Sequence, residues 1–204
     1  MTIWKDVPGV LNADPRYFEA TELLNEIPYS EAIEMAFYGA SVIHPKTLKP
    51  LENKKIPLYV RSFYDLQKKG TLVGEGEKLS PELPCFIMKQ NQKLVAISAR
   101  DFSFMVEHHL SDIFRLLHRN KLKVNLIQNS ALSFTVCVED NYNKFDAFLA
   151  EVQENYSVNV SQNVRLFTIR HATEQAIAKI ESEGKVLLKQ ATLGTVQLVI
   201  TDKA

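Results

Sequence analysis

The sequence has few cysteines, no excess of either charge and no long apolar run. Its two cysteines, Cys85 and Cys137, are not clustered with histidines, so neither a disulfide framework nor a zinc site is indicated. Basic and acidic residues balance at 24 each, which gives no reason to expect nucleic acid or an anionic membrane as a partner. No apolar stretch approaches a membrane span, and the N-terminus does not resemble a signal peptide. Together these absences predict a cytoplasmic protein.

What the sequence does contain is the composition of an ordinary globular protein. Hydrophobic residues make up 46% and charged residues 24% of the chain, which is enough to build a core. A length of 204 residues suits one large domain or two to three small ones. Glycine and proline concentrate between Gly70 and Pro84, and this composition predicts a linker and a domain boundary there.

The opening stretch, residues 3–16, is interrupted by two turn signals. Pro8-Gly9 predicts a tight turn, and Asp14 before Pro15 is biased away from helical backbone. A strand end followed by two turns would bring Lys5, Asp6, Asn12, Asp14 and Arg16 to one rim, where open α/β sheets bind their ligands. An ordinary loop with solvated charges is equally compatible with this spacing.

The next segment predicts a helix, a second short helix and a buried strand. Ser30 is a suitable N-cap for the first helix, and Gly39 suits its end. The second helix is expected over residues 47–53, and the strand over residues 57–60. For His44, at the end of the first helix, we expect a structural hydrogen bond to a free carbonyl rather than catalysis.

Beyond residue 84 the periodicity predicts a β-α-β-β-α unit, a short strand and a β-α-β-β unit. The first two strands are expected at 87–90 and 93–98, about a tight turn at Asn91-Gln92. The short strand is expected at 158–160, and the next one at 164–170. A helix that stops at Gly184 and a hairpin that turns near Gly194 complete the second unit. The two units form an internal repeat of roughly seventy residues, longer than the periods of solenoids.

Three ordered blocks resemble the aspartokinases, which have the amino-acid kinase fold. Residues 3–16 resemble their nucleotide-binding loop, and residues 31–45, Glu-Ala-Ile-Glu-Met-Ala-Phe-Tyr-Gly-Ala-Ser-Val-Ile-His-Pro, resemble the helix and turn that follow. Residues 56–63 with the Gly-Thr-Leu-Val at 70–73 resemble the last kinase strand and the end of that domain. The remainder resembles the paired ACT modules of that family, which bind end-product amino acids.

The resemblance implies a fold class and a domain plan. It implies a partial amino-acid kinase α/β lobe followed by two ACT modules of the ferredoxin-like βαββαβ fold, the second of them abbreviated. The limits it implies are 1–73 for the kinase part, 74–84 for a linker, 85–160 for the first ACT module and 161–204 for the second. The activity it implies for the parent protein is transfer of the γ-phosphoryl of ATP to the β-carboxylate of aspartate, with Mg²⁺, in lysine, threonine and methionine biosynthesis.

The resemblance carries over part of an ATP site. Lys5 and Asp6 match the family's Thr-Asp pair, Leu11 matches a Tyr beside the nucleotide, and Arg16 matches a phosphate-contacting Arg. Ser41 and Val42 match the Lys-Val or Arg-Val dipeptide that borders the nucleotide base in the family. Leu11 lacks an aromatic stacking surface, and the alternative for Arg16 is an ion pair with Asp6 or Asp14. The family's Lys-Phe-Gly-Gly block is absent, so no catalytic residue is assigned, and we expect the isolated chain to be inactive and to bind no ATP.

A second candidate site is the effector site of the first ACT module. In the family it joins the loop before the first ACT helix to the strand after it, often with a partner chain. The strand matches the lysine-sensitive pattern well and the loop poorly, and Asn125 and Ala131 replace two carboxylates suited to an ammonium group. Three alternatives for the effector stay open: lysine, a neutral amino acid such as threonine, or no effector at all. The candidate residues are Ser103, Val106, His109, Leu110, Asn125, Asn129, Ser130 and Ala131.

The remaining expectations concern partners and alternatives. Neighbouring histidines on a helix diverge by about 100°, so His108, His109 and His118 predict no metal site. We expect a homodimer through the ACT modules, because pairing would cover their strand edges. The alternatives are a separate regulatory subunit made from an internal start, or a free-standing ACT amino-acid-binding protein without kinase activity.

Overall fold

The computed structural model of the chain describes residues 1–40, 43–101 and 103–202. Helices and strands alternate along this part of the chain, as in an α/β protein. None of the helices described in these three ranges is long and apolar enough to cross a membrane. The elements in chain order are β1 Thr2–Lys5, β2 Glu26–Pro28, α1 Tyr29–Tyr38, α2 Pro45–Asn53, β3 Leu58–Ser62, β4 Thr71–Gly74, β5 Cys85–Ala99, α3 Glu107–Arg119, β6 Lys123–Asn129, β7 Phe134–Glu139, α4 Phe145–Asn155, β8 Tyr156–Arg170, α5 Glu174–Glu181, β9 Lys185–Thr192 and β10 Thr195–Thr201.

The chain forms two compact units that do not follow chain order. The first, called unit 1 below, comprises Met1–Met88, Phe167–Ser182 and Lys189–Gln197. The second, unit 2, comprises Lys89–Leu166, Glu183–Leu188 and the described residues from Leu198 onward. Unit 1 therefore contains the region that resembles a kinase together with helix α5 of the second repeat. The domain limits derived from the sequence stay a prediction.

Unit 1 is built on a mixed four-stranded sheet in the order β1-β3-β4-β2. β1 pairs with β3 and β2 with β4 in parallel, whereas β3 and β4 are antiparallel. Alternate residues of β3 and β4 are buried, as expected for strands with one face on a core. That core also takes in residues of α1 and α2, and its fully buried members include Leu24, Leu48, Leu58, Val60 and Val73.

The helix starts in unit 1 differ from two sequence predictions. Helix α1 begins at Tyr29 with Pro28 at the N-cap and no side-chain cap, so the prediction of Ser30 as the N-cap was wrong. Gly39 ends the helix at a φ of 121°, a left-handed conformation that glycine adopts without a steric cost. The imidazole of His44 accepts a hydrogen bond from the backbone N–H of Lys46 at 3.1 Å. His44 therefore caps the start of α2.

The remaining strands form a six-stranded sheet in the order β6-β7-β5-β8-β10-β9. The predicted turn at Asn91-Gln92 is wrong, because β5 runs unbroken from Cys85 to Ala99. The predicted strands at 158–160 and 164–170 are likewise one strand, β8. Asn91 and Asn163 both have a positive φ, 54° and 55°. Asparagine tolerates this conformation, so each strand continues through it without ending.

Unit 2 buries apolar side chains in two separate clusters. The larger cluster packs β5, β7 and β8 against α3 and α4, through residues that include Val95, Ile113, Val136, Phe148 and Val152. The second cluster draws one or two buried residues from each of the six strands and none from a helix: Leu94, Leu126, Cys137, Val164, Leu166, Leu188 and Val199.

The second repeat has the β-α-β-β order expected from the sequence. Helix α5 is capped by Thr173, whose side chain accepts from the backbone N–H of Ala176 at 3.2 Å. The helix ends at Glu181, three residues before the predicted stop at Gly184. Gly184 is needed for a different reason, since a Cβ there would collide with the carbonyl oxygen of Thr201. The hairpin of β9 and β10 turns at Gly194, which has a φ of 74°.

Candidate functional site

Unit 1 contains an open cleft with a volume of about 550 Å³. Cavities of a few hundred cubic ångströms are the usual size of ligand sites. Three segments line the cleft: the loop after β1, the last turn of α1 with the two residues that follow it, and the start of β5. The lining residues include Asp6, Val10, Leu11, Asp14, Arg16, Tyr17, Met35, Gly39, Ala40, Phe86, Ile87 and Met88.

Thr71 on β4 holds the loop after β1 in place. Its buried hydroxyl accepts from the backbone N–H of Val10 at 2.8 Å and donates to the carbonyl of Leu24 at 2.6 Å. A Cβ on Gly9 would lie 2.5 Å from the same hydroxyl oxygen, so the loop can approach β4 this closely only with glycine at position 9. This explains physically why the Pro-Gly turn occurs where the sequence predicts it.

Asn12 ties the same loop to the chain segments on either side of it. Its side-chain oxygen accepts from the backbone N–H of Glu22 at 2.7 Å, and its side-chain nitrogen donates to the carbonyl of Pro84 at 3.1 Å. Its own carbonyl accepts from the N–H of Phe86 at 2.7 Å. The sequence placed Asn12 at the rim as a polar residue, but neither its role nor that of Thr71 could be derived from turn signals.

Arg16 forms the ion pair with Asp14 that the sequence left open as an alternative. Its guanidinium contacts both carboxylate oxygens at 2.6 to 3.1 Å, and its backbone N–H donates to one of them. The hydrogen bonds from Arg16 lower the pKa of Asp14, against a smaller opposing effect of burial. The arginine side chain is 71% exposed, so the pair lies at the cleft rim in contact with solvent.

The structure brings together three of the six residues predicted for nucleotide binding. Asp6, Leu11 and Arg16 all line the cleft. Lys5 is not among the lining residues, and the contact seen there is through its backbone, because its carbonyl accepts from the N–H of Phe63 at 3.0 Å. Ser41 and Val42 lie outside the described residues.

The predicted effector residues lie in unit 2, around the start of α3 and along β6. The loop and the strand end are joined where the N–H of Met105 donates to the carbonyl of Ala131 at 2.9 Å. Ser130 bonds with Ser133 across the turn after β6. Ser103, Val106 and Leu110 belong to the loop and first turn of α3, and Asn129 ends β6. His109 lies 3.1 Å from the hydroxyl of Tyr156.

Asn125 has a more specific environment than the sequence predicted. Its amide oxygen accepts from the ammonium of Lys89 at 2.8 Å, and its amide nitrogen donates to Gln92 at 2.7 Å and to Glu139 at 3.4 Å. Burial, together with the nearby Lys123, lowers the pKa of Lys89. The carbonyl of Asn125 is thus already committed to an ammonium group that belongs to the chain itself.

Comparison with known proteins supports the resemblance to aspartokinases independently of the geometry. Residues 1–62 match the family model described as the amino acid kinase family. The lysine-sensitive aspartokinase 3 of Escherichia coli K12 is 34% identical over 137 residues, which are 67% of this chain and 30% of that protein. The bifunctional aspartokinase/homoserine dehydrogenase 1 of Arabidopsis thaliana is 32% identical over 143 residues, 67% of this chain and 16% of that protein.

Solved structures agree with these matches over nearly the whole chain. E. coli aspartokinase III in complex with lysine and aspartate superposes with a TM-score of 0.77 at 25% identity, covering 98% of this chain and 47% of that one. The aspartate kinase of Clostridium acetobutylicum superposes with a TM-score of 0.83 at 20% identity, covering 98% and 50%. The fold class predicted from the sequence is therefore confirmed.

The chain spans about half the length of these solved relatives and 30% or less of the two sequence relatives named above. Only the first part of the chain, residues 1–62, matches the amino acid kinase family model. Over the longer stretches compared above, the chain is thus similar to the aspartokinases.

Proposed function

We propose that this chain supplies one wall of the ATP site, and the regulatory region, of an aspartate kinase. The reaction transfers the γ-phosphoryl of ATP to the β-carboxylate of L-aspartate and yields ADP and 4-phospho-L-aspartate. The proposal includes an end-product amino acid as effector, a homodimer through the regulatory modules and a cytoplasmic location.

The observation that carries the proposal is the cleft in unit 1. Its floor is apolar, through Val10, Met35 and Ile87, and its rim carries the guanidinium of Arg16. An apolar floor suits a purine base, and a guanidinium suits phosphate oxygens, which it can bind through two parallel hydrogen bonds. Apart from Ile87, which lies on β5, these residues come from the segments that resemble the family's nucleotide loop and the helix that follows.

In this proposal Arg16 exchanges one anionic partner for another. In the structure it is paired with Asp14 at the rim. Exposed ion pairs contribute little stability, so a nucleotide phosphate would displace the carboxylate at small cost. Asp14 would then be free to face the Mg²⁺ that accompanies ATP, since this ion prefers phosphate and carboxylate oxygens.

Phosphoryl transfer depends mainly on positioning and on cations around the phosphates, more than on covalent chemistry. The residues of this chain would hold and orient the nucleotide. The phosphate-contacting lysine of the family lies in the Lys-Phe-Gly-Gly block, which is absent from these 204 residues. We therefore propose no turnover by the chain alone, and aspartyl phosphate formed by the isolated chain would contradict this.

The environment of Asn125 favours a neutral effector such as threonine over lysine. The ammonium of Lys89 is bonded to its amide oxygen, and Lys123 is close enough to lower the pKa of Lys89. A second ammonium brought by a lysine ligand would be repelled by these two charges, and the carboxylate of Glu139 opposes the charge of Lys123 at Lys89 with a smaller effect. A hydroxyl or an uncharged side chain meets no such penalty.

The ATP site is tested by Arg16→Ala in a chain that also carries the Lys-Phe-Gly-Gly block, by measuring KM for ATP. A matched control is Arg115→Ala, because Arg115 pairs with Asp112 at 2.9 Å and is 75% exposed, on α3 in unit 2. We expect KM to rise on the order of tenfold for Arg16→Ala, as for loss of one charged hydrogen-bonding group, and to stay unchanged for the control. An unchanged KM in both variants would remove Arg16 from the site.

The effector is tested by calorimetry of the 204-residue chain with threonine, lysine and methionine. We expect heat from threonine, and the variant Asn125→Asp should shift preference towards lysine by restoring a carboxylate. Three flat titrations would defeat the effector proposal. Effector binding by a chain whose native source shows no longer product would instead favour the separate regulatory subunit or the free-standing binding protein.

A further inference from the structure

We propose that Arg170, at the end of β8, is a positioning residue for the cleft, because it fixes helix α1 to the second repeat. Through this link a displacement of β8 or α5 would be passed to the cleft wall. The functional consequence rests on the proposed function, whereas the positioning itself does not depend on any ligand.

The contact is a forked ion pair between Arg170 and Glu31. Nε of Arg170 donates to Oε1 of Glu31 at 3.0 Å, and Nη2 donates to Oε2 at 2.6 Å. The third nitrogen, Nη1, donates to the hydroxyl of Thr195 at 2.8 Å. Each donor group of the guanidinium is therefore directed at a defined partner, with α1 on one side and the first residue of β10 on the other.

This pair is largely shielded from solvent. The side chains of Arg170 and Glu31 are 17% and 8% exposed. Burial alone would raise the pKa of Glu31, but the hydrogen bonds and charge of Arg170, with a contribution from His171, lower it below its ordinary value. Removing one partner of a buried pair leaves the other charge without compensation, so breaking this contact costs more than breaking the exposed pairs elsewhere in the chain.

The helix that Arg170 holds is also a wall of the cleft. Glu31 lies in the first turn of α1, and Met35 follows it by one helical turn on the same face. Met35, Gly39 and Ala40 all line the cleft. Since an α-helix moves as a rigid rod, a shift or rotation at Glu31 displaces Met35 as well.

A second contact joins the same segment, Phe167–Ser182, to another wall of the cleft. The ammonium of Lys179 on α5 lies 5.6 Å from the ring centre of Phe18 and 5.4 Å from that of Phe86. Phe86 lines the cleft, and its backbone is bonded to Asn12. The second repeat therefore touches two walls of the cleft independently.

The positioning role is tested by NMR of the 204-residue chain labelled at its methionine methyl groups. The chain has four methionines, of which Met35 and Met88 line the cleft and Met105 lies in unit 2. The variants are Arg170→Met and the nearly isosteric Glu31→Gln, with Lys189→Met as the control. Lys189 pairs with Glu181 at 2.8 Å in unit 1 and contacts no residue of α1 through this pair.

We expect the methyl resonance of Met35 to shift in both test variants, with Met105 unmoved, and both to stay in place in the control. Amide hydrogen exchange of α1 should accelerate on the order of 100-fold in Arg170→Met relative to the control. Arg170→Lys should restore part of the native shift, because an ammonium can bond to Glu31 but cannot form the fork.

Glu31→Gln keeps the proposal testable if Arg170→Met does not fold. A folded variant of either kind with an unmoved Met35 resonance and unchanged exchange of α1 would overturn the proposal. Addition of Mg-ATP to a chain that also carries the Lys-Phe-Gly-Gly block separates this result from the proposed function. If ATP moves neither Met35 nor Met88 there while Arg170→Met still moves Met35 in the 204-residue chain, the positioning role stands and the proposed nucleotide site does not.

Discussion

Replacing Thr71 by valine should loosen the loop after β1 without changing the volume of the core. Thr71 is fully buried, and its hydroxyl accepts a hydrogen bond from the N–H of Val10 and donates one to the carbonyl of Leu24. Valine has nearly the same shape but can neither donate nor accept. Two backbone groups would then be buried without partners, at about 1–3 kcal/mol each.

The matched variant is Thr71→Ser, which keeps the hydroxyl and loses one methyl group. Its expected cost is about 1 kcal/mol for the lost apolar burial. For Thr71→Val we expect a loss of about 2–6 kcal/mol in the free energy of unfolding of unit 1. The difference between the two variants therefore isolates the contribution of the hydroxyl group.

The assay is urea unfolding followed by tryptophan fluorescence. The chain has a single tryptophan, Trp4, which lies in β1 of unit 1, is 46% exposed and stacks with Arg61 at 5.2 Å. Its signal reports on the unit that contains Thr71, and an unchanged slope with urea would show that the folded and unfolded states are comparable. If Thr71→Val were as stable as Thr71→Ser, the hydroxyl would not hold the loop and the explanation for Gly9 would fail with it.

Three further predictions can be checked with simple measurements. Burial raises the pKa of Cys85 and of Cys137 to about 12, so both thiols should resist iodoacetamide at pH 8 and react only after unfolding in urea. Because the folded pKa of Glu31 is lowered, its charge stabilises the protein above the unfolded pKa and this stability is lost as the pH falls through the folded value. Glu31→Gln should thus be less stable at pH 7 and lose less stability between pH 6 and pH 3, as measured by thermal unfolding. Gly9→Ala should destabilise unit 1 by about 1–3 kcal/mol in urea unfolding, because its Cβ must displace Thr71. In Gly194→Ala the new Cβ meets no neighbour within 4 Å, so the only cost is that alanine must adopt the positive φ of 74° in the turn.

Much of the fold and part of the site could be derived from the sequence. The apolar periodicities predicted α1, α3, α4 and α5, and the turn signals placed the loop ends at Gly39 and Gly194. The loop after β1 could be singled out as a candidate site because its residues are close together in the chain. Asp6, Leu11 and Arg16 span eleven positions, and a local block is enough to recognise them.

The errors come from local signals that the tertiary structure overrides. A turn is predicted at Asn91 and a break between two strands at residues 161–163, yet β5 and β8 continue through them. A single residue with a positive φ can be absorbed by a strand when neighbouring strands supply hydrogen bonds on both sides of it. Neither the neighbours nor their register can be read from the residues around an asparagine.

The amino-acid sequence by itself determined which segments become helices and strands, and which family of kinases they resemble, because these properties depend on residues a few positions apart. Only the tertiary structure decided which distant groups meet. Glu31 and Arg170 are separated by 139 positions, and Asn12 and Pro84 by 72. Nothing in the chain near Glu31 specifies a partner, so the link between the second repeat and the cleft arises only when the folded chain brings these side chains together.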